Sequence, residues 1–248
     1  MPKSEFKQAF VLAPDCCGQA GRLTPLGAFT LMQSLAVQHA EEIGVGGEAM
    51  AAKGLFWLTV HTRIDFFAPA KLMDELEGIT WPEPCNDRAY RSYRSYALER
   101  GGETVALGRT LWAILGNEGR LMQFSSAGFP EGYVFSERQG IADAPARFAD
   151  DFDEGDLVGH YTVRSTDIDL GHHMNNVAYV RALLDCFPAA VLDSGAVRSM
   201  EVHYAAQCRE GEELSVYLKR EGTLCRMAVK RPEGKTAILA SVTFADGQ

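Results

Sequence analysis

The chain has 248 residues, 46% of them hydrophobic, and a net charge of −9 at pH 7. That composition fits an ordinary globular protein, and the acidic balance excludes a nucleic-acid binder built on a basic face. No apolar run reaches the roughly 18 residues of a membrane helix, and the start, Met1-Pro2-Lys3-Ser4-Glu5-Phe6, has no apolar signal core, so a cytoplasmic protein is expected. The cysteines (Cys16, Cys17, Cys85, Cys186, Cys208, Cys225) show no C-x-x-C spacing. Neither zinc nor disulfides are expected from them.

Phe6 to Leu12 reads as a short strand and Pro14 to Gly21 as a loop. Thr24-Pro25 is a helix start, with Thr as N-cap and Pro at the first helical position. Apolar residues then recur at helical spacing from Leu26 to Ile43, and Gly44 ends the run. Leu55–Phe67, Leu72–Trp81, Tyr90–Leu98 and Thr104–Leu115 read as strands, the last two joined by a hairpin at Gly101-Gly102. From about Phe129 to Gly155 strand periodicity disappears, and a connector carrying one short helix is expected.

The second half repeats the first. Leu157–Ser165 is a strand, Asn176–Phe187 a helix, and Arg198–Gln207, Glu213–Arg220, Leu224–Lys230 and Thr236–Phe244 are strands. Asp74-Glu75-Leu76 falls on Glu212-Glu213-Leu214, and Gly102 to Leu107 falls on Gly234 to Leu239. The same overlay sets Ala70 opposite Cys208. The predicted class is α+β: two copies of a unit in which an antiparallel sheet wraps a central helix. The divisions are 1–128, a linker at 129–155, and 156–248.

The halves differ where chemistry concentrates. Thr166 to Tyr179 holds two carboxylates, two imidazoles and two carboxamides at a strand-to-helix junction, where helix N–H groups are free. The first copy has Asp15-Cys16-Cys17-Gly18 there and lacks the His-x-Asn-Asn group.

Asp167-Ile168-Asp169, His173, Asn175-Asn176 and Tyr179 together resemble the signature of acyl-acyl-carrier-protein (acyl-ACP) thioesterases, which are double hotdog proteins. His39-Ala40, Phe56-Trp57-Leu58, Tyr90-Arg91-Ser92-Tyr93, Trp112 and Ser199-Met200 through Gln207-Cys208 extend the resemblance over almost the whole chain. Two positions depart from it. Gly171 stands where the family usually has Asn, and Gln207 where it usually has Glu before the Cys.

The resemblance implies hydrolysis of fatty acyl-ACP in fatty acid biosynthesis, with water and no metal or redox cofactor. The first hotdog would house the acyl tail, with Trp57 among its aromatic lining, and the second would be catalytic. Such chemistry needs a base, activated water or a nucleophile, and donors for the oxyanion. Asp169 can activate water or attack directly, or it can simply cap a helix. His173 can polarise the carbonyl or protonate the leaving thiolate. Asn175 and Asn176 suit helix capping, or serve substrate binding by fixing the helix start whose N–H groups bind the thioester oxygen. Gly171 allows close approach or positive φ. Cys208 is either a thiolate nucleophile or a buried sheet residue, and the Gln207 amide can hold a water.

An acidic carrier protein would dock on Arg88, Arg91 and Arg94, or on Lys219, Arg220, Arg226, Lys230 and Arg231. Three other readings stay open: an acyl-CoA thioesterase, a non-hydrolytic acyl-binding or regulatory protein, and, less favoured, a hotdog dehydratase. A monomer and a homodimer are equally open.

Overall fold

The computed structural model describes residues 3–246, apart from the Glu118 side chain. In chain order the elements are β1 (Phe6–Val11), α1 (Pro25–Ile43), α2 (Gly47–Ala51), β2 (Phe56–Phe66), β3 (Glu75–Pro82), β4 (Arg91–Arg100), β5 (Glu103–Leu115) and β6 (Leu121–Met122). The second half has β7 (Leu157–Thr162), α3 (Asn176–Leu184), α4 (Ala189–Leu192), β8 (Val197–Tyr204), β9 (Glu213–Glu221), β10 (Leu224–Lys230) and β11 (Thr236–Phe244).

One antiparallel sheet runs β1-β3-β4-β5-β2-β8-β11-β10-β9-β7, with β6 added on β5. The order reads the same from both ends, so each half contributes an equivalent five-strand sheet and the halves join edge to edge at β2–β8. His61 pairs with His203 and Ile64 with Met200 across that joint. Closing the two edges on each other removes the unpaired strands that would otherwise invite aggregation.

Helix α1 starts as predicted: the Thr24 hydroxyl accepts from Gly27 N–H at 3.0 Å and Pro25 is the first helical residue. It ends at Gly44, whose φ of 86° is the left-handed cap. Its apolar residues Ala28, Met32, Leu35 and Ala36 are buried in the main core. Two strand glycines let the helix sit close to the sheet. A Cβ on Gly108 would lie 2.4 Å from Met32 Sδ, and one on Gly78 would lie 2.9 Å from Leu35 Cδ1.

The internal duplication is visible in the hydrogen bonds. Leu12 N–H donates to Asp74 O and Val163 N–H to Glu212 O. Phe67 N–H donates to Val105 O as Ala205 N–H does to Ala237 O, and Leu23 N–H to Ala70 O as Met174 N–H does to Cys208 O. The sequence overlay therefore has the correct register, Ala70 against Cys208 included.

Two expectations change, and one helix is added. Residues 129–153 contain no helix; short 3-10 turns, Phe124–Ala127 and Glu154–Asp156, stand at the two ends of this stretch. The connector is instead an extended strap over the outer face of the sheet. It is held by Trp81 Nε1–H to Arg138 O (3.1 Å), Arg63 to Asp143 (3.1 Å), and Ala146 N–H to Glu201 (3.0 Å). Helix α3 stops at Leu184 rather than Phe187, because Cys186 and Phe187 turn toward Pro188, which cannot continue it. The Gly-rich stretch after α1 contains α2, with Glu41 accepting from Gly47 N–H at 2.8 Å.

Candidate active site

The loop Asp167–Asn175 joins β7 to α3 and is built by its own backbone. Asn175 N–H donates to Asp167 O (2.7 Å), Asp169 N–H to His173 O (3.0 Å), and Met174 N–H to Cys208 O (2.9 Å). The last bond pins the loop beside Gln207 and Cys208. Within it the two carboxylates have opposite surroundings. Asp167 is 2% exposed and accepts from Arg164 N–H (2.8 Å), Tyr161 Oη (3.0 Å) and Arg181 Nη1 (3.1 Å). Its role is to hold the loop. Asp169 is exposed, and the only donor to it among the described residues is Gly171 N–H, to Oδ1 at 2.8 Å.

Asp169 and His173 converge over Gly171. A Cβ on Gly171 would lie 3.1 Å from Asp169 Oδ1 and 3.9 Å from His173 Nδ1. Gly171 therefore serves close approach; the positive φ of the loop falls on His172, at 59°. Leu170, at the tip, is fully exposed.

The equivalent loop of the first half has the same frame. Thr24 N–H donates to Cys16 O, Gly18 N–H to Arg22 O, and Gly21 N–H to Gly18 O. Gly18 thus matches Asp169, and Arg22 matches His173. That loop is closed by the chain after α4: Asp193 accepts from Ala20 N–H, and the Arg22 guanidinium donates to Ser194 O. Of the two loops, only the second carries a carboxylate and an imidazole without an ion pair among the described residues.

Asn175 caps α3, its Oδ1 accepting from Val177 N–H at 2.8 Å. Asn176, the first helical residue, reaches out of its own half. Its Nδ2 donates to Thr59 Oγ1 of β2 at 2.8 Å. Asn176 also lines a cavity of about 30 Å³ between α1 and the inner face of the sheet, with Phe29 and Met32 of α1 and Ile64 of β2. The helix start that follows the Asp169–His173 loop therefore borders the first half's interior.

The remaining sequence candidates separate. Cys208 is fully buried, its N–H donating to Tyr179 Oη at 2.7 Å. Burial pushes its thiol up to about 11, against a weaker lowering by Tyr179, which disfavours a thiolate there at neutral pH. Gln207 is exposed beside it. Trp57 lies outside the cavity lining; its Nε1–H donates to Val45 O at 2.8 Å and fastens the turn between α1 and α2.

The proposed basic docks also divide. Arg94 is buried, with Nη1 on His39 and Thr80. Arg226, Lys230 and Arg231 are tied to Asp151, Asp150 and Glu212. Residues that sequence reasoning passed over are Asp167 as the loop's anchor and Thr59 as the partner of Asn176. The Asp-x-Asp spacing signals the first; nothing local signals the second.

Models of the acyl-ACP thioesterase N-terminal domain and C-terminal domain match residues 3–124 and 152–246. The chain belongs to the acyl-ACP thioesterase family. Among curated relatives of this family member, the chloroplastic oleoyl-acyl carrier protein thioesterase 1 of Arabidopsis thaliana is 20% identical over 225 residues, 84% of this chain and 61% of the relative. A chloroplastic dodecanoyl-[acyl-carrier-protein] hydrolase of Cinnamomum camphora is 19% identical over 218 residues, 82% of this chain and 56% of the relative. The chain thus spans about three-fifths of these relatives' length. Among solved structures, an acyl-ACP thioesterase from Bacteroides thetaiotaomicron superposes with a TM-score of 0.87 at 21% identity, covering 97% of this chain and 98% of that one. The 12:0-ACP thioesterase of Umbellularia californica superposes with 0.83 at 16% identity, covering 98% of each chain. At these identities the likeness carries the fold: this acyl-ACP thioesterase family member is a double hotdog.

Proposed function

We propose that the chain hydrolyses fatty acyl thioesters of an acyl carrier protein, in the cytoplasm, to free fatty acid and carrier thiol. Family membership supports the reaction class. The observation that carries the site is the convergence of Asp169 and His173 over Gly171, on the one loop of the two that is left open.

In this reading the thioester carbonyl sits at the start of α3. The Asn176 N–H, which precedes the first intrahelical bond, faces the developing oxyanion with the positive end of the helix behind it. Gly171 N–H holds Asp169 Oδ1, which leaves Oδ2 to take a proton from water. The water oxygen bonds to the carbonyl carbon, the C–S bond breaks as a protonated His173 gives its proton to the sulfur, and the proton taken by Asp169 passes to His173 to reset the pair. The backbone of Gly171 orients Asp169 without a side chain, consistent with the loss of the family's usual Asn. Cys208 has no part in the cycle, and Gln207 borders the water.

We assign the acyl tail to the first half (1–128), catalysis to the second (156–248), and a bracing role to 129–155. Arg164 and Arg209, both exposed and without an ion pair among the described residues, flank the loop and suit an acidic carrier. The test is thiol release on a series of acyl-ACP chain lengths beside matched acyl-CoA. Faster turnover of acyl-ACP is expected. Equal or faster turnover of acyl-CoA would make it an acyl-CoA thioesterase, and bound acyl group without thiol release would make it a binding protein.

A further inference from the structure

Several polar side chains stand among the apolar ones in the interior that should receive the acyl tail. Thr59 and Thr62 of β2, Tyr96 of β4, Thr110 and Trp112 of β5 and Tyr204 of β8 all line the cavity described above. Thr62 and Thr110 hydrogen-bond each other at 3.1 Å. Next to Thr110 across the β4–β5 ladder stands buried Arg94, which makes no ion pair among the described residues. A pocket made only for a saturated chain would gain by apolar walls, since each polar group loses water on burial.

One donor in this cavity has no protein partner. Trp112 Nε1 is buried and, alone among the buried side-chain polar atoms of the described residues, makes no hydrogen bond of normal geometry. The Tyr96 hydroxyl, which lines the same cavity, is within reach of both the Trp112 indole and the Thr110 side chain, but it does not meet Nε1 in hydrogen-bonding geometry. Both other tryptophans are satisfied: Trp57 donates to Val45 O and Trp81 to Arg138 O. An indole N–H can only donate, so what completes it must be an acceptor.

We propose that the acyl group bound here carries its own oxygen, a hydroxyl or a keto group, which accepts a hydrogen bond from Trp112 Nε1. The preferred substrates are then oxygen-bearing acyl thioesters, not plain saturated ones. This rests on the thioesterase reading given above. A site that buries a donor discriminates against a ligand that cannot pair with it, because the donor then stays desolvated and unmet.

The experiment uses matched eight-carbon ACP thioesters: plain, β-hydroxy, β-keto and ω-hydroxy. The wild-type protein is expected to turn over at least one oxygenated substrate roughly ten- to a hundred-fold better in kcat/KM than the plain one. Trp112→Phe should bring that ratio toward one. The second readout needs no variant. In ¹⁵N-labelled protein the Trp112 indole resonance should move downfield with the oxygenated free acid, while those of Trp57 and Trp81 stay. Equal kcat/KM on all four thioesters, with an unmoved Trp112 resonance, would overturn the proposal and leave the donor to bound water. Absence of hydrolysis on every thioester would instead defeat the thioesterase reading, and the indole titration would still decide what the cavity accepts.

Discussion

Asn176 Nδ2 donates to Thr59 Oγ1 at 2.8 Å, so the first turn of the second half's helix is bonded to the wall of the first half's cavity. In the proposed reading the bond joins the loop with the reactive side chains to the chamber for the acyl group.

Removing either partner should cost about 1 kcal/mol, the net worth of a neutral hydrogen bond. Asn176→Ala and Thr59→Val are expected to lower the urea midpoint by similar amounts. The double variant should be less destabilised than their sum, with a coupling of about 1 kcal/mol. Strict additivity would mean that the contact does no more than sit there.

Asp167 and Asp169 are predicted to behave oppositely. Asp167→Ala leaves the Arg164 amide, the Tyr161 hydroxyl and the Arg181 guanidinium without their acceptor in a buried place, and should cost about 3 kcal/mol. Asp169→Ala touches an exposed group and should move stability by less than about 0.5 kcal/mol. Thermal melts of the two variants side by side check this.

Cys208→Ala is expected to keep most activity and to lose about 1 kcal/mol of stability through the small cavity it leaves. The thiol, pushed up to about 11 by burial, should also resist alkylation at neutral pH in the folded protein. Loss of turnover with an intact fold would return Cys208 to the chemistry.

His39 gives the fold an acid-sensitive point. Its ring is fully buried; Nε2–H donates to Lys3 O at 3.0 Å, and Nδ1 accepts from Arg94 at 3.1 Å. Burial first, and the Arg94 charge second, lower its pKa from 6.5 to about 4. Between those values the unfolded chain binds a proton that the folded chain excludes. Stability from this group is whole above pH 6.5 and falls as pH drops toward 4, by about 3 kcal/mol over the window. His39→Gln should flatten the midpoint-against-pH curve in that range.

The sequence carried the fold because the two long helices and the main strands are signalled locally. Thr24-Pro25 and Gly44 bound α1, Gly101-Gly102 turns β4 into β5, and the Asp74/Glu212 and Val105/Ala237 correspondences fix the repeat. The loop at Asp169 and His173 was legible from its density of reactive groups. The division of labour between Asp167 and Asp169 was not, because it depends on Tyr161 and Arg181 folding back onto one carboxylate. The Thr59–Asn176 bond spans residues far apart in the chain, and Thr62, Thr110 and Tyr96 read as ordinary strand formers. The strap at 129–155 has no periodicity to read: its order comes from single side chains such as Trp81 and Arg63 reaching it from the sheet.

In the proposed reaction Asp169 and His173 act together on a thioester. The most direct test is single-turnover thiol release from a preferred acyl-ACP by wild type, Asp169→Asn and His173→Ala, each with its melting curve. Both variants should melt like the wild type and lose a hundred-fold or more in rate, about the worth of a positioned acid or base. Release at the wild-type rate by either folded variant would contradict it.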